Sequence, residues 1–263
     1  MSGRNSTLTK FTLGADPELF ISCGQNLLTS QEIDLPGTKD MPHPLGKETF
    51  VQRDNAAVEF NIFPAENVND FISSISTALN ELKSFCEKRN FGEKLAIIPY
   101  GTFSKQQLDH PETQRAGCEP DYNAWTGYPN PSPDISESLI RVAGGHIHVG
   151  IDHFPRRKLV KAMDLFVGCP SILFDKDEVR RKLYGKAGSY RPKPYGIEYR
   201  VLSNFWIEKD HLVKWVWNQT EKAIKFVENN LILESHAKEI QQCINSCDTA
   251  ILDNLDKVYS IHA

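Results

Sequence analysis

Several things are missing from this sequence, and each absence removes a class of function. No apolar run is long enough to cross a bilayer, and the opening stretch MSGRNSTLTK lacks the apolar continuity of a signal peptide. Neither G-x-x-x-x-G-K-[ST] nor G-x-G-x-x-G occurs, which excludes the two commonest glycine-loop nucleotide sites. The six cysteines (Cys23, Cys86, Cys118, Cys169, Cys243 and Cys247) show no C-x-x-C spacing, so neither a zinc ribbon nor a disulfide scaffold is implied and reduced thiols are the default. A basic excess is absent too. With 30 Lys and Arg against 34 Asp and Glu, the net charge of -4 leaves nothing to drive sequence-independent phosphate binding, which argues against nucleic-acid and membrane partners. A local basic cluster can still hold a small anion. No internal repeat, low-complexity tract or clear linker interrupts the chain. The expectation is a cytoplasmic protein of one large domain, or two intimate ones.

What is present is enough for a sizeable core: 263 residues with 40% hydrophobic content. ELFIS, CGQN and LLTS read as a hairpin with Gly24 and Asn26 in the turn. ETFVQRDNAAVEFNIFP gives two further extended runs around Asp54 and Asn55, closed by Pro64. Asn67 is placed to cap a helix in which Phe71, Ile72, Ile75, Leu79, Leu82 and Phe85 recur at helical spacing up to Asn90 and Gly92. KLAIIPYG reads as one buried strand. Residues 104–138, rich in Pro, Gly, Asp, Ser and aromatics, read as a long ordered loop of the kind that carries function, a lid or substrate-binding loop. Pro155 opens a helix to about Val167, GIEYRVLS is another strand, and the chain from Asp210 onward is mostly helical.

Residues 144–151, GGHIHVGI, pose the functional question. At period two, His146 and His148 share one strand face while Ile147, Val149 and Ile151 share the other. The two glycines suit a place where a ligand or another backbone comes close. A lone histidine in such a strand is more often a hydrogen-bonded core residue, and two could be partners of neighbouring backbone, but a pair sharing one face favours a ligand role. Two distant strands repeat the division. Val58, Phe60 and Ile62 oppose Glu59 and Asn61, and Ile197, Tyr199 and Val201 oppose Glu198 and Arg200. Glu18 in GADPELF is a fourth candidate. A solvated face of an antiparallel sheet would mix Lys, Thr, Ser and Glu. This one carries almost only groups that ligate metals or grip anions, which favours a chemical face. RRKLYGKAGSYR is the dense basic cluster with glycines. Such clusters are often solvated helix ends, but its nearness to the Glu198 strand favours phosphate contact.

GADPELF, RDNAAVEFNI, AGGHIHVGI, LYGKAGSYR and YGIEYRVLSNFW, in this order, resemble the phage-type carboxylate-amine ligases (amidoligases), relatives of glutamate-cysteine ligase and glutamine synthetase. The motifs run from about Phe11 to Trp206 and leave the tail of 210–263 and much of the 104–138 loop unmatched. The resemblance implies an α+β fold: a curved, mostly antiparallel sheet backed by helices, glutamine synthetase-like, forming one catalytic domain over 1–263. It implies ATP and Mg2+ or Mn2+ as cofactors. Glu18, Glu59, His148 and Glu198 match metal positions, with His146 at the edge of the cluster or behind it. Arg200 matches an anion-binding arginine, making Arg200, Glu198 and Glu59 the catalytic candidates. Arg181, Lys186 and Arg191, with Gly185 and Gly188, match the nucleotide-phosphate region. The implied reaction is amide formation through an acyl phosphate on an amino acid or peptide, or on a protein acceptor, in the host cytoplasm if the chain is phage-encoded. Oxygen ligands spread over several strands suit magnesium, a histidine among them admits manganese, and phosphoryl transfer needs no Ser or Cys nucleophile. Two other readings stand beside it. One is a metal-dependent hydrolase built on the H-x-H strand, which expects further histidines after later strands; the other is a non-catalytic binding protein that keeps the sheet.

Overall fold

The structure is a computed structural model that describes residues 9–89, 92–114, 121–135 and 137–262. Asn90, Cys118 and the first eight residues, all used in the sequence reading, lie outside the described residues. Thirteen strands form in chain order: β1 (Thr12–Ala15), β2 (Glu18–Cys23), β3 (Asn26–Leu28), β4 (His43–Pro44), β5 (Thr49–Asp54), β6 (Ala57–Ala65), β7 (Glu93–Ala96), β8 (Tyr100–Thr102), β9 (Tyr122–Asn123), β10 (Ile140–Val142), β11 (Ile147–Gly150), β12 (Ser189–Lys193) and β13 (Gly196–Tyr199). Eleven belong to one sheet whose main path runs β3-β2-β6-β1-β11-β13-β12-β9, with β5 on β6, β4 on β5 and β7 on β2. β8 and β10 pair separately. Every pairing between these strands is antiparallel, and with the helices this makes the fold α+β.

The helices are α1 (Val68–Arg89), α2 (Arg156–Met163), α3 (Cys169–Ser171), α4 (Glu178–Leu183), α5 (Asp210–Glu228), α6 (Ala237–Asn245) and α7 (Thr249–Tyr259). Asn67 caps α1 as its sequence position predicts: its Oδ1 accepts from the amides of Asn69 at 3.1 Å and Asp70 at 3.0 Å. Phe71, Ile75, Ala78, Leu82 and Cys86 form its buried stripe. Between α2 and α3 the chain widens into a π-helical stretch, Asp164–Gly168. Pro170, which has no N–H to donate and whose ring crowds the carbonyl four residues back, follows one residue beyond it.

Three expectations change in detail. KLAIIPYG is two strands, β7 and β8, because β7 pairs with β2 while β8 leaves the main sheet for β10. The 104–138 stretch contains β9 and a 3-10 turn at Pro111–Gln114, with 115–120 outside the described residues. The helix opened by Pro155 ends at Met163 and continues as the π stretch.

The period-two reading holds where it matters. Val58, Phe60, Ile62, Ile147, Val149, Ile197 and Tyr199 are buried on the side of the sheet covered by α1 and α2, with Trp206 stacked on Phe71 at 5.8 Å between ring centres. Burying each large aliphatic or aromatic side chain contributes about 1.5–3 kcal/mol, enough to fix which face of each strand turns inward. The opposite face is left for chemistry. A smaller core of Phe20, Ala56, Ala57, Phe103, Leu108 and Ala143 lies apart from the main one.

Candidate active site

Strand register assembles the site. Glu18 pairs with Glu59, and Gln52 stands opposite Glu59 on its other side. Gly14 pairs with His148, His148 with Glu198, and Glu198 with Arg191. Residues directly opposite in neighbouring strands project to the same face, so these partners form rows across it. Gln52 donates to Glu59 Oε1 at 2.8 Å, and the Gly144 amide donates to Glu18 Oε2 at 2.7 Å.

The sequence-derived ligands separate into two triads. Asp16, His148 and Glu198 offer ligand atoms within 4.8 Å of one another, and so do Glu18, Asp54 and Glu59. Asp16 and Asp54 were missed because each sits at a strand boundary, outside the alternating run that exposed the others. The available signal is a second carboxylate inside two of the quoted motifs, Asp16 in GADPELF and Asp54 in RDNAAVEFNI. His146 lies between the triads rather than at an edge: its Nδ1 is 3.4 Å from Asp16, 3.9 Å from Glu18 and 3.9 Å from Glu198.

Electrostatics distinguish the two groups. Burial, then repulsion by Asp54, raises Glu18 to about 7 despite help from the Gly144 amide and Arg200. Burial and the carboxylates of Asp16, Asp54 and Glu18 push Glu59 up as well. Without a cation this triad therefore retains protons at neutral pH. In the other triad, burial and Asp16 oppose ionisation of Glu198, yet Arg200, His146 and Arg191 draw it down to about 2. Burial likewise works against Asp16, but His148 and His146 outweigh it and hold it below the usual carboxylate range. Burial, then Arg200, lowers His146 to about 4, so its imidazole is neutral. With Arg200 donating toward its Nδ1 at 3.3 Å, the proton is assigned to Nε2. Asp16 Oδ1 then meets a lone pair, and that oxygen is buried without a hydrogen bond.

His148 also faces Asp16. Its Nδ1 is 2.5 Å from the Tyr195 hydroxyl and its Nε2 stands 3.1 Å from Asp16 Oδ2; burial works against its charge, but the Asp16 carboxylate outweighs this and raises its affinity for a proton. An imidazole lone pair directed at a carboxylate oxygen with no proton between them, as at His146 and Asp16, is a configuration that a divalent cation satisfies, and such a cation would also take the place of the proton that His148 shares with Asp16. The residues present fit such an ion.

The glycines of GGHIHVGI are explained by close approach. A Cβ on Gly144 would stand 2.3 Å from His146 Nε2, and one on Gly145 would stand 2.3 Å from the Ser203 carbonyl oxygen.

The basic residues disperse. Arg200 is ion-paired with Glu198 and lies 4.0 Å from Asp121; Arg191 is 3.3 Å and Lys193 2.9 Å from Glu198. Lys186, Arg191 and Arg200 line one small pocket with Asp121, Asn130 and Tyr184. Arg181 does not join them. It is buried on the far side of α4, donating to Asp175 O at 3.0 Å and Ser171 Oγ at 3.4 Å. Its neighbour Arg180 takes the inward place, lining a second pocket with Glu18, Asp54, Ile135, Ile140 and Arg200. Gly185 and Gly188 have φ of +74° and +81°, and a Cβ there would meet Arg180 at 2.1 Å and Trp125 at 2.6 Å. Turn geometry accounts for both.

Residues 141–246 match the family model described as phage phiEco32-like COOH.NH2 ligase-type 2. The match covers less than half of the chain but includes His146, His148, Arg180, Glu198 and Arg200, and it agrees with the resemblance read from the motifs. The matched family is thus one of carboxylate-amine ligases. No curated protein matches the sequence. Among solved structures, one described as "Crystal structure of novel glutamine synthase homolog" is similar at a TM-score of 0.42 and 12% identity, over 96% of this chain and 65% of that chain. The chain thus spans less than two thirds of that protein's length. No described helix is long and apolar enough to cross a membrane.

Proposed function

We propose that this protein is an ATP-dependent ligase that joins a carboxylate to an amine through an acyl phosphate, releasing ADP and phosphate. One observation carries the reading: a single sheet face holds two triads of oxygen and imidazole ligands beside Arg200, Arg191 and Lys193. Phosphoryl transfer calls for that combination, since the protein's part is to position two anions and neutralise charge.

Asp16, His148 and Glu198 would hold one divalent ion and Glu18, Asp54 and Glu59 a second. Mg2+ or Mn2+, when bound, supplies charge neutralisation to phosphate oxygens. Arg200, planar and held by Glu198 and His146, presents guanidinium N–H groups to the transferred phosphoryl group. Lys186 and Arg191, in the adjoining pocket, bind the remaining phosphates. The second pocket, with Arg180, Glu18 and Asp54 among Ile135, Ile140 and Val142, takes the carboxylate substrate, an amino acid or peptide first and a protein acceptor second.

The test is to mix protein, Mg-ATP and a pool of amino acids and peptides and to identify products. ADP, phosphate and a new amide are expected. AMP and pyrophosphate exclude the mechanism, and ATP-independent cleavage of an amide replaces the ligase with a hydrolase.

A further inference from the structure

Behind β13, on the core side of the sheet, lies a buried carboxyl group that the proposed chemistry does not use. Asp164, in the π-helical stretch, has no exposed surface. Its Oδ2 accepts from Trp125 Nε1 at 2.6 Å and its Oδ1 from the Tyr199 hydroxyl at 2.9 Å. The Gly188 backbone amide also bonds to it. These donors belong to three segments that meet nowhere else in sequence, and each carries residues of the anion pocket.

Trp125 lies in the loop that brings Asp121 and Asn130 to Arg200 and Ser189. Gly188 closes the turn that holds Lys186. Tyr199 stands between Glu198 and Arg200. Further contacts hold the same junction: Arg157 donates to the carbonyls of Ala124 at 2.9 Å and Trp125 at 3.4 Å, Lys161 lies 5.0 Å over the Trp125 ring, and the Ala124 amide donates to Gly188 O at 2.9 Å. The absent Cβ of Gly168 leaves room for the Tyr199 hydroxyl, which such an atom would approach to 2.6 Å. Hydrogen bonds to a buried carboxylate are among the stronger ones, and losing a partner there leaves a buried donor unsatisfied.

We propose that Asp164 is a positioning residue whose carboxylate ties the 121–130 loop, the 185–188 turn and β13 together, so that Lys186, Arg191 and Arg200 face one anion in concert. Its effect on ligand binding rests on the proposed ATP site; the tie itself does not.

Hydrogen exchange and Mg-ATP binding by calorimetry separate the two. In Asp164→Asn and in Trp125→Phe, amides of 121–130 and 185–188 should exchange about tenfold faster while α1 is unchanged. The double variant should be less than additive, because both substitutions weaken the Trp125–Asp164 bond. Mg-ATP should bind about tenfold more weakly in both single variants. Ile75→Val, which trims the buried stripe of α1, should lower the melting temperature without either effect. Unchanged exchange in the loop and turn, or additive effects in the double variant, overturns the proposal. If Asp164→Asn does not fold, Trp125→Phe decides by the same two measurements. Failure of the unaltered protein to bind Mg-ATP removes the ATP reading and leaves the exchange result to judge the tie.

Discussion

At the scale of single residues, the two adjacent arginines of α4 have opposite surroundings. Arg180 donates to the carbonyls of Val201 at 2.8 Å and Arg200 at 3.2 Å, and burial lowers it to about 10 even with Glu18 nearby. It stands at the wall of a pocket. Arg181 is enclosed by Ser171 and Asp175 and reaches neither pocket. Arg181→Ala should therefore cost about 1–3 kcal/mol in urea unfolding, the scale of lost hydrogen bonds to a buried charge, with no change in the Michaelis constant for ATP. Arg200→Ala should leave the fold intact and lower turnover about a hundredfold, and Arg200→Lys should not restore it, because a point charge cannot reproduce a planar bidentate grip. Equal Michaelis constants with unimpaired turnover in Arg200→Ala would remove Arg200 from the reaction.

At the scale of elements, the π stretch bears on how stability depends on pH. Burial raises Asp164 from 3.8 to about 7, even with Trp125, Tyr199 and Gly188 bonding to it. Tyr199 and Cys169, which face it from β13 and α3, are pushed up by burial and stay neutral, and among the described residues no cation bonds to it. A carboxyl that binds its proton more tightly folded than unfolded makes the folded state the proton-richer one between those two values. Stability then falls as pH rises from about 4 to about 7 and levels off above, by at most about 4 kcal/mol. Urea unfolding across that window should show the slope in the natural sequence and its loss in Asp164→Asn. A slope that persists in the variant would assign the dependence to other groups.

For the molecule as a whole, a set of carboxylates gathered on one face carries an electrostatic cost. Glu18 and Glu59 accommodate it by holding protons, which a divalent ion would displace. Mn2+ at a hundred times its dissociation constant should stabilise the fold by about 2.7 kcal/mol, a rise of roughly 5–10 °C in melting temperature for a chain of this size. Asp16→Asn and Glu59→Gln should each reduce that rise, measured by differential scanning fluorimetry against EDTA. A melting temperature indifferent to Mn2+ and Mg2+ would be incompatible with metal binding at either triad.

Much of this site is legible in the sequence. Val58 against Glu59, Val149 against His148 and Ile197 against Glu198 alternate by a rule that backbone geometry imposes on any strand, so one chemical face follows from three short strings. The cap at Asn67 and the hairpin at Gly24 are local in the same way. Other features depend on long-range pairing. Registers between strands distant in sequence split the ligands into two triads, set His146 between them, and bring in Asp16 and Asp54 from strand ends that no periodicity marks. The six residues of α4 are too few for a periodic signal to tell Arg180 from Arg181. Asp164 carries no local mark at all, since its partners come from 39 and 35 residues away. Local sterics set the period of a strand, and only the packing of distant segments decides which side chains a face brings together.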